Sequence, residues 1–207
     1  MAAYIIVGII AYLLGSISFS VIVGKKLSGI DVREKGSGNA GTTNVLRTVG
    51  KKAAALTLLG DVLKGVVAIL VAFIVGKIVK GVDRALLVQI AGICVILGHT
   101  FPIFFKFKGG KGVATSLGIL LITNWQIGLI CLVFALVLMV LSRMVSLGSV
   151  IAAILYPVLT LFIGQHYLVE GNYFVYSVIV AVIVIFNHRE NIKRLLNGTE
   201  NKINLKK

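Results

Sequence analysis

The chain alternates long apolar runs with short polar connections. The apolar runs fall at residues 4–24, 53–76, 85–105, 113–123, 126–142, 145–164 and 172–187. A helix crosses a hydrocarbon core of about 30 Å with roughly 20 residues, and most of the runs approach that length. The pattern therefore predicts an all-α polytopic membrane protein.

The fourth run is ambiguous because residues 113–123 would reach only about half way across a core of ~30 Å. They form either part of one long helix over 113–142 or a short crossing of their own. A short crossing is tolerated where the segment tilts into a thinned or protein-lined region. The first alternative gives six crossings, and the second gives seven.

The distribution of charge favours seven crossings. The chain carries 21 Lys and Arg against 7 Asp and Glu. Seven crossings place 17 of the basic residues on one side and three on the other, whereas six crossings give ten against ten. Basic residues collect on the cytoplasmic side of membrane proteins. We therefore predict seven transmembrane helices, an outside N-terminus and a cytoplasmic C-terminus, in a single integral-membrane domain over 1–207.

The composition narrows the chemistry further. Hydrophobic residues make up 58% of the chain and charged residues 14%. The charge rule of membranes explains the net charge of +14 without a nucleic-acid partner. Cys94 and Cys131 lie inside apolar runs, so no disulfide framework is expected. The cytoplasmic connections hold no carboxylate cluster, and no catalytic metal is predicted.

The first basic connection contains "KGSGNAGTTNVLR", residues 35–47. Its Gly36-x-Gly38-x-x-Gly41 spacing matches the dinucleotide fingerprint, but that fingerprint needs a strand before it and a helix after it in a βαβ unit. Here the polar stretch "GIDVREK" precedes it, directly after a membrane span. The dinucleotide interpretation is therefore set aside.

An anion site explains this first loop better. Glycines let backbone N–H groups approach an anion, and a short helix is predicted to begin near Thr42. Arg47 could bind a phosphate through two parallel hydrogen bonds. Neutral hydrogen-bonding side chains come from Ser37, Asn39, Thr42, Thr43 and Asn44. The alternative is an ordinary flexible loop.

The second basic connection is "GHTFPIFFKFKGGKGVATSLG", residues 98–118. Three lysines, Lys106, Lys108 and Lys111, surround Gly109 and Gly110. The stretch is not a Walker A loop, because a phenylalanine stands where the first glycine is needed. A glycine and lysine turn that leads into a helix suits phosphate, and the alternative is a basic loop that contacts anionic lipid headgroups.

Three further features involve ionisable residues. At the end of the last run, "FNHRENIKRLLNGTE" (186–200) places Asn187 beside His188, which shares a helical face with Asn191. Glu200 is expected to anchor the basic tail by pairing with an arginine or lysine of this stretch. Asp61 and Lys64 lie three residues apart inside the second run and predict a structural ion pair. His99 lies near the cytoplasmic end of the third span, either as a wall of the site or as helix-terminal packing.

These stretches resemble the motifs of the bacterial acyl-phosphate:glycerol-3-phosphate acyltransferase family, called PlsY. "GSGNAGTTNVLR" resembles its first motif, with Thr42 where alanine is common. "GHTFPIFFKFKGGKGVAT" resembles the second motif and "HRENIKRLLNGTE" the third. "GDVLKG" (60–65) and "GSISF" (15–19) are also similar, with Ser18 where the family has proline. The resemblance covers nearly the whole chain in order.

The resemblance implies an enzyme of the bacterial inner membrane with its active site facing the cytoplasm. It would transfer an acyl group from acyl phosphate to the 1-hydroxyl of sn-glycerol 3-phosphate, giving lysophosphatidic acid and phosphate. This is the first acylation of phospholipid synthesis. The resemblance implies no cofactor and, apart from membrane lipid, no obligatory partner. The H-x-x-x-x-D motif of other glycerol-phosphate acyltransferases is absent from this sequence.

Both implied substrates carry phosphate, so the site must hold two anions. We expect Ser37, Arg47, Lys108 and Lys111 to bind phosphate and the backbone groups of Gly38, Gly109 and Gly110 to assist. The expected substrate-binding set also includes Asn39, Thr43, Lys106, Asn187 and His188.

Acyl phosphate is a mixed anhydride and already activated, so direct attack without an acyl-enzyme is the economical route. His188 is the expected general base, and an oxygen of the acyl phosphate is its rival. Asn187 or Asn191 would donate to the developing oxyanion or orient the histidine.

Two other functions were weighed against the enzyme. A transporter of anionic phosphorylated metabolites would place polar groups at mid-bilayer with access from both sides. Here the three polar stretches are predicted on one side. A non-catalytic membrane anchor would have no need of three separate clusters of glycines, amides and basic residues.

Overall fold

The computed structural model describes residues 1–163 and 167–203. Within these ranges every regular element is helical, in agreement with the all-α prediction. The α-helices are α1 (Ala2–Gly15), α2 (Phe19–Ser28), α3 (Thr42–Thr48), α4 (Lys51–Ile78), α5 (Arg84–Thr100), α6 (Val113–Thr123), α7 (Trp125–Ser142), α8 (Val145–Ile163), α9 (Phe174–Asn187) and α10 (Arg189–Leu196). Short 3₁₀ turns occupy Val32–Glu34 and Ile103–Phe105.

Each predicted apolar run is helical over most of its length. Five helical stretches of the described residues are long and apolar enough to cross a membrane, and α9 with α10, bent by 65°, would be a sixth. The short α6 is separate from α7, because the extended backbone of Asn124 interrupts them and its side chain accepts a hydrogen bond from Ile127 N. A single helix over 113–142 is therefore wrong. Seven crossings and the orientation of the termini stay predictions.

The chain divides into two compact units, Met1–Ile122 and Thr123–Lys207. The single domain over 1–207 stays a prediction.

In the first unit, α1 and α5 run parallel in close contact. Asp83 N donates to the Tyr4 hydroxyl (2.7 Å) near the start of both helices, and the Tyr12 hydroxyl donates to Phe101 O (2.8 Å) near their ends. A Cβ on Gly98 would overlap the carbonyl oxygen of Tyr12, so only glycine allows this approach. The long α4 lies between α1 and α5 in the sequence and brings the chain back to the end where both begin. The polar connections 29–50 and 101–112 therefore lie at the same end of the unit.

The first apolar run is broken where one continuous span was predicted. The helix α1 ends at Gly15 and α2 begins at Phe19, with an extended backbone at Ser18. Such a break leaves carbonyls without helical donors, and lipid cannot supply donors. Lys64 Nζ of α4 donates to Gly15 O and to Ile17 O, both at 2.9 Å. The break therefore forms without proline at position 18, and a buried lysine satisfies it.

In the second unit, α7 and α8 form a close antiparallel pair. A Cβ on Gly148 would come within 2.5 Å of Ala135 O, so glycine permits this contact. The chain bends sharply at His188, between α9 and α10. Beyond α10, Ile203 is buried and its N–H donates to Arg143 O at 2.8 Å. This bond fixes the C-terminal segment to the connection between α7 and α8.

Candidate active site

The first glycine loop is organised around the buried side chain of Asn44. Its Oδ1 accepts a hydrogen bond from Ser37 N (2.9 Å), and its Nδ2 donates to Val32 O (2.6 Å) and Lys35 O (3.1 Å). Gly36 has φ +60°, and a Cβ there would overlap Asn44 Oδ1. From the sequence, the Asn44 side chain is expected to bind the anion. The structure uses its amide to hold the loop in shape.

The helix that follows this loop begins at Thr42, as predicted. Ser37 and Arg47 are exposed, whereas Asn39 and Thr43 are half-buried. The loop thus keeps its predicted anion-binding side chains at the surface while Asn44 fixes the backbone beneath them.

The second glycine loop folds back onto the end of α5. Gly110 N donates to His99 O (3.0 Å) and Gly109 N donates to Thr100 O (3.2 Å). A Cβ on Gly110 would overlap Nε2 of His99, and one on Gly109 would overlap the His99 carbonyl. The paired glycines are therefore needed because the backbone passes directly over the histidine.

A tight turn precedes these glycines. Lys106 and Phe107 both have φ +57°, a left-handed conformation that costs a non-glycine residue about 1–2 kcal/mol. Phe107 N donates to Pro102 O at 2.9 Å, which closes the turn. The turn leaves Lys106 and Lys108 exposed, and Lys111 is half-buried after the glycines.

The two loops, separate in sequence, meet in the structure. Ala40 N of the first loop donates to Gly109 O of the second at 3.3 Å. Arg33 Nη1 donates to Phe105 O at 2.6 Å, and its guanidinium lies 5.9 Å from the centroid of the Phe105 ring. Contacts on both sides thus join the loops into one surface.

Arg33 is held in place by Asp31. The guanidinium donates through Nη2 to Asp31 Oδ2 (2.7 Å) and through Nε to Oδ1 (2.9 Å). These hydrogen bonds lower the pKa of Asp31 to about 2, with help from the Arg33 and Lys25 charges. The same pairing raises the pKa of Arg33. Sequence reasoning missed this pair, although an Asp followed two residues later by an Arg stands in "GIDVREK".

The backbone N–H groups of the three loop glycines have hydrogen-bond partners within the protein. Gly38 N donates to Lys35 O (3.1 Å), and the N–H groups of Gly109 and Gly110 are bound as described above. All three N–H groups are thus bound to carbonyl oxygens of the protein, and their contribution to phosphate binding stays a prediction. The glycines also provide a positive φ at Gly38 and close backbone approach at the other two.

Beneath the second loop lies a buried cluster of ionisable side chains. Lys64 Nζ lies 2.9 Å from Asp61 Oδ1, which confirms the predicted ion pair. His99 Nδ1 lies 3.4 Å from the same oxygen. All three side chains are buried. His99 therefore packs under Gly110 at the end of its helix and does not form an exposed wall of the site.

The third predicted cluster lies in the second unit. His188 is buried at the junction of α9 and α10, and its Nδ1 is 2.7 Å from Val184 O. A carbonyl oxygen can only accept, so the proton of this bond is on Nδ1. In the neutral imidazole Nε2 is then the basic nitrogen. Asn187, the last residue of α9, is half-buried beside it.

Glu200 closes this cluster. Asn191 Nδ2 donates to Glu200 Oε1 (2.8 Å), and Arg194 Nε donates to Oε2 (2.9 Å). The predicted pairing of Glu200 with a basic residue of the stretch is confirmed. Burial alone would raise the pKa of Glu200, but the hydrogen bonds from Asn191 and Arg194 outweigh it and lower the pKa.

Comparison with known proteins identifies the family. The family model described as glycerol-3-phosphate acyltransferase matches residues 5–198. A glycerol-3-phosphate acyltransferase of Clostridioides difficile (strain 630) is 48% identical over 205 residues, which cover 99% of this chain and 98% of that protein. The enzyme of the same name from Thermoanaerobacter sp. (strain X514) is 45% identical, over 98% of this chain and 96% of its own.

Solved structures show the same fold. The chain superimposes on the crystal structure of PlsY, an integral membrane glycerol 3-phosphate acyltransferase, in its glycerol 3-phosphate form with a TM-score of 0.85. Sequence identity is 38%, and the match covers 97% of this chain and 96% of the other. The lysophosphatidic acid form of PlsY gives a TM-score of 0.83. The chain is therefore an acyltransferase and belongs to the PlsY family of integral membrane glycerol-3-phosphate acyltransferases.

Proposed function

We propose that the protein transfers a fatty acyl group from acyl phosphate to the 1-hydroxyl of sn-glycerol 3-phosphate. The products are lysophosphatidic acid and inorganic phosphate, in the first acylation step of bacterial phospholipid synthesis. The reaction takes place at the cytoplasmic face of the inner membrane. The observation that supports it best is the joining of the two loops, each of which carries exposed basic side chains suited to anionic substrates.

Side chains carry the phosphate binding in this proposal. Ser37 and Arg47 serve from the first loop, with Asn39 and Thr43 as further hydrogen-bond donors. Lys106, Lys108 and Lys111 serve from the second loop. Charge-assisted hydrogen bonds of this kind are about twice as strong as neutral ones, and arginine can bind phosphate through two parallel bonds. Gly38, Gly109 and Gly110 contribute by giving the loops their shape.

The chemistry is a direct acyl transfer. The 1-hydroxyl oxygen of glycerol 3-phosphate attacks the carbonyl carbon of the acyl phosphate, and a new ester C–O bond forms. The bond between that carbon and the phosphate oxygen breaks, and phosphate leaves with the electron pair. No acyl-enzyme is required, so positioning and stabilisation of charge supply most of the acceleration.

The hydroxyl proton goes either to Nε2 of His188 or to an oxygen of the acyl phosphate. The bond between His188 Nδ1 and Val184 O supports the histidine, because it leaves Nε2 as the basic nitrogen. In this proposal Asn191, whose Nδ2 donates to Glu200, and Asn187, which adjoins the histidine in sequence, orient the base or donate to the oxyanion.

The test is phosphate release by the purified protein supplied with palmitoyl phosphate, with and without glycerol 3-phosphate. Lysophosphatidic acid is followed in the same samples. We expect phosphate release to require glycerol 3-phosphate and to match product formation. His188→Ala should lower kcat by about 10²–10⁴-fold if the histidine is the general base.

Arg189→Gln is the matched control, because Arg189 is the exposed neighbour of His188 and the change should leave turnover near the unchanged protein. Activity that survives in His188→Ala would assign the proton to the acyl phosphate and leave the transfer reaction in place. Absence of turnover in a folded protein would refute the proposed reaction, and uptake of labelled glycerol 3-phosphate into proteoliposomes would then test transport.

A further inference from the structure

Buried charge inside a membrane span is costly, so the cluster of Asp61, Lys64 and His99 needs an explanation. Charged residues in spans are rare and usually serve a function or pair with one another. A buried ion pair is in itself weak evidence for stability, because desolvation can cancel the attraction between the charges. The explanation must therefore come from the other groups that these side chains contact.

One set of contacts leads from Asp61 to the glycines of the second loop. Asp61 Oδ1 lies 3.4 Å from His99 Nδ1, and the Nε2–Cε1 edge of the same ring lies against Gly110. The backbone of the same histidine accepts the Gly110 N–H at 3.0 Å. The carboxylate therefore fixes the ring on which the glycine turn rests.

Another set of contacts leads from Lys64 to the beginning of the same loop. Lys64 Nζ donates to Gly15 O and Ile17 O on either side of Ser16. Ser16 Oγ in turn accepts a hydrogen bond from Ile103 N at 3.3 Å. The lysine thus holds the broken first span in the conformation that receives Ile103, which starts the 3₁₀ turn before the loop lysines.

We propose that Asp61 and Lys64 are positioning residues for substrate phosphate. Asp61 acts through His99 on Gly109 and Gly110, and Lys64 acts through the break in the first span on Ile103. Both ends of the segment that carries Lys106 and Lys108 are thereby fixed from one buried ion pair. The role of these lysines toward phosphate rests on the proposed function above.

The double variant Asp61→Asn with Lys64→Met tests this, since it removes both charges together and retains similar volumes. Because Met at position 64 also leaves the Gly15 and Ile17 carbonyls without their donor, the double variant should lower the thermal midpoint as well. We expect faster amide hydrogen exchange in residues 99–112 and a KM for at least one phosphate substrate raised about tenfold or more. A displacement of about 1 Å can reduce catalysis by ~10²-fold.

Leu87→Ala is the matched control. Leu87 is fully buried in α5 of the same unit, more than two helical turns from His99, and its truncation creates a cavity away from the loop. It should lower the thermal midpoint while hydrogen exchange in 99–112 and both KM values stay unchanged. A KM that rises equally in Leu87→Ala would show general destabilisation and overturn the positioning role.

Ser16→Ala provides a second route if the double variant does not fold, because it keeps the charges and removes the hydroxyl that accepts from Ile103 N and donates to Tyr12 O within its own helix end. Ser16→Ala should make amide hydrogen exchange faster in residues 103–108 and raise the KM by a smaller factor than the double variant does. Unchanged exchange in the variant that folds would overturn the proposal. Hydrogen exchange is measured without turnover. An inactive wild-type protein would therefore contradict the proposed reaction, while the exchange data would still test the positioning role.

Discussion

The two glycine loops look alike in sequence but are stabilised by different means. In the first loop one neutral amide, Asn44, binds backbone groups within twelve residues of itself. In the second loop the glycine turn rests on His99, which in turn contacts Asp61 of another helix. The first loop is therefore a local structure, whereas the second takes its shape from the packing of α4 and α5. Disturbance of the first should stay local, and disturbance of the second should reach the core.

The largest expected effect comes from Gly110→Ala. The added Cβ would overlap the His99 ring and lie 2.8 Å from Ala40 O, and neither neighbour can move without disturbing both loops. We expect activity to fall by about 10²-fold or more, with a lower thermal midpoint. The matched variant is Gly38→Ala, where the nearest atom would be Arg33 O at 3.4 Å and the main cost is the positive φ, about 1–2 kcal/mol. A larger loss in Gly38→Ala would contradict the contrast between the loops.

Asn44→Ala should have a smaller and more confined effect. It removes three hydrogen bonds, each worth about 1 kcal/mol, and leaves the carbonyls of buried Val32 and of Lys35 without this donor. We expect faster hydrogen exchange in residues 32–38 while residues 99–112 keep their protection. Asn44→Asp is the control that retains the acceptor for Ser37 N and loses the donors. Equal loss of protection in both loops would mean that the first loop is not a local structure.

The smallest effect concerns the link between the loops through Asp31 and Arg33. The folded state lowers the Asp31 pKa from 3.8 to about 2, so ionised Asp31 favours the folded state. This contribution is complete above about pH 4 and is lost as the pH falls through 2. The pair is partly exposed, so it is worth less than about 1 kcal/mol. Thermal midpoints of Asp31→Asn and of the unchanged protein, measured between about pH 2 and 6, should differ only at the upper end of this pH range. A constant difference between the two proteins at all pH values would contradict this.

The sequence allowed prediction of those features that depend on neighbours along the chain. The helical runs, the start of α3 at Thr42, the pair Asp61–Lys64 and the pairing of Glu200 with a basic residue of its own stretch all follow from periodicity, capping and short spacing. Each involves residues at most six positions apart or a single helix. The break in the first span was not predicted from the apolar pattern, because the lysine that stabilises it lies in another helix.

The hydrogen bonding of the glycine N–H groups could not be predicted, because it depends on which carbonyl oxygens the fold brings next to them. A glycine with a free N–H and one with a satisfied N–H are identical in the sequence. Only the positions of Lys35, His99 and Thr100 show that the N–H groups of Gly38, Gly109 and Gly110 are bound inside the protein. The contact of Arg33 with Phe105 was equally hidden, since 72 residues separate them.

The break between α1 and α2 has a consequence for membrane insertion. On its own, the first span would bring the Gly15 and Ile17 carbonyls into lipid without donors, and α4 would bring in an ammonium group. Each segment alone is therefore poorly suited to lipid. The hydrogen bonds from Lys64 to those carbonyls satisfy the ammonium group and the carbonyl oxygens together. The nascent chain is therefore expected to keep its first span close to the insertion machinery until α4 emerges, so that the two enter the bilayer together.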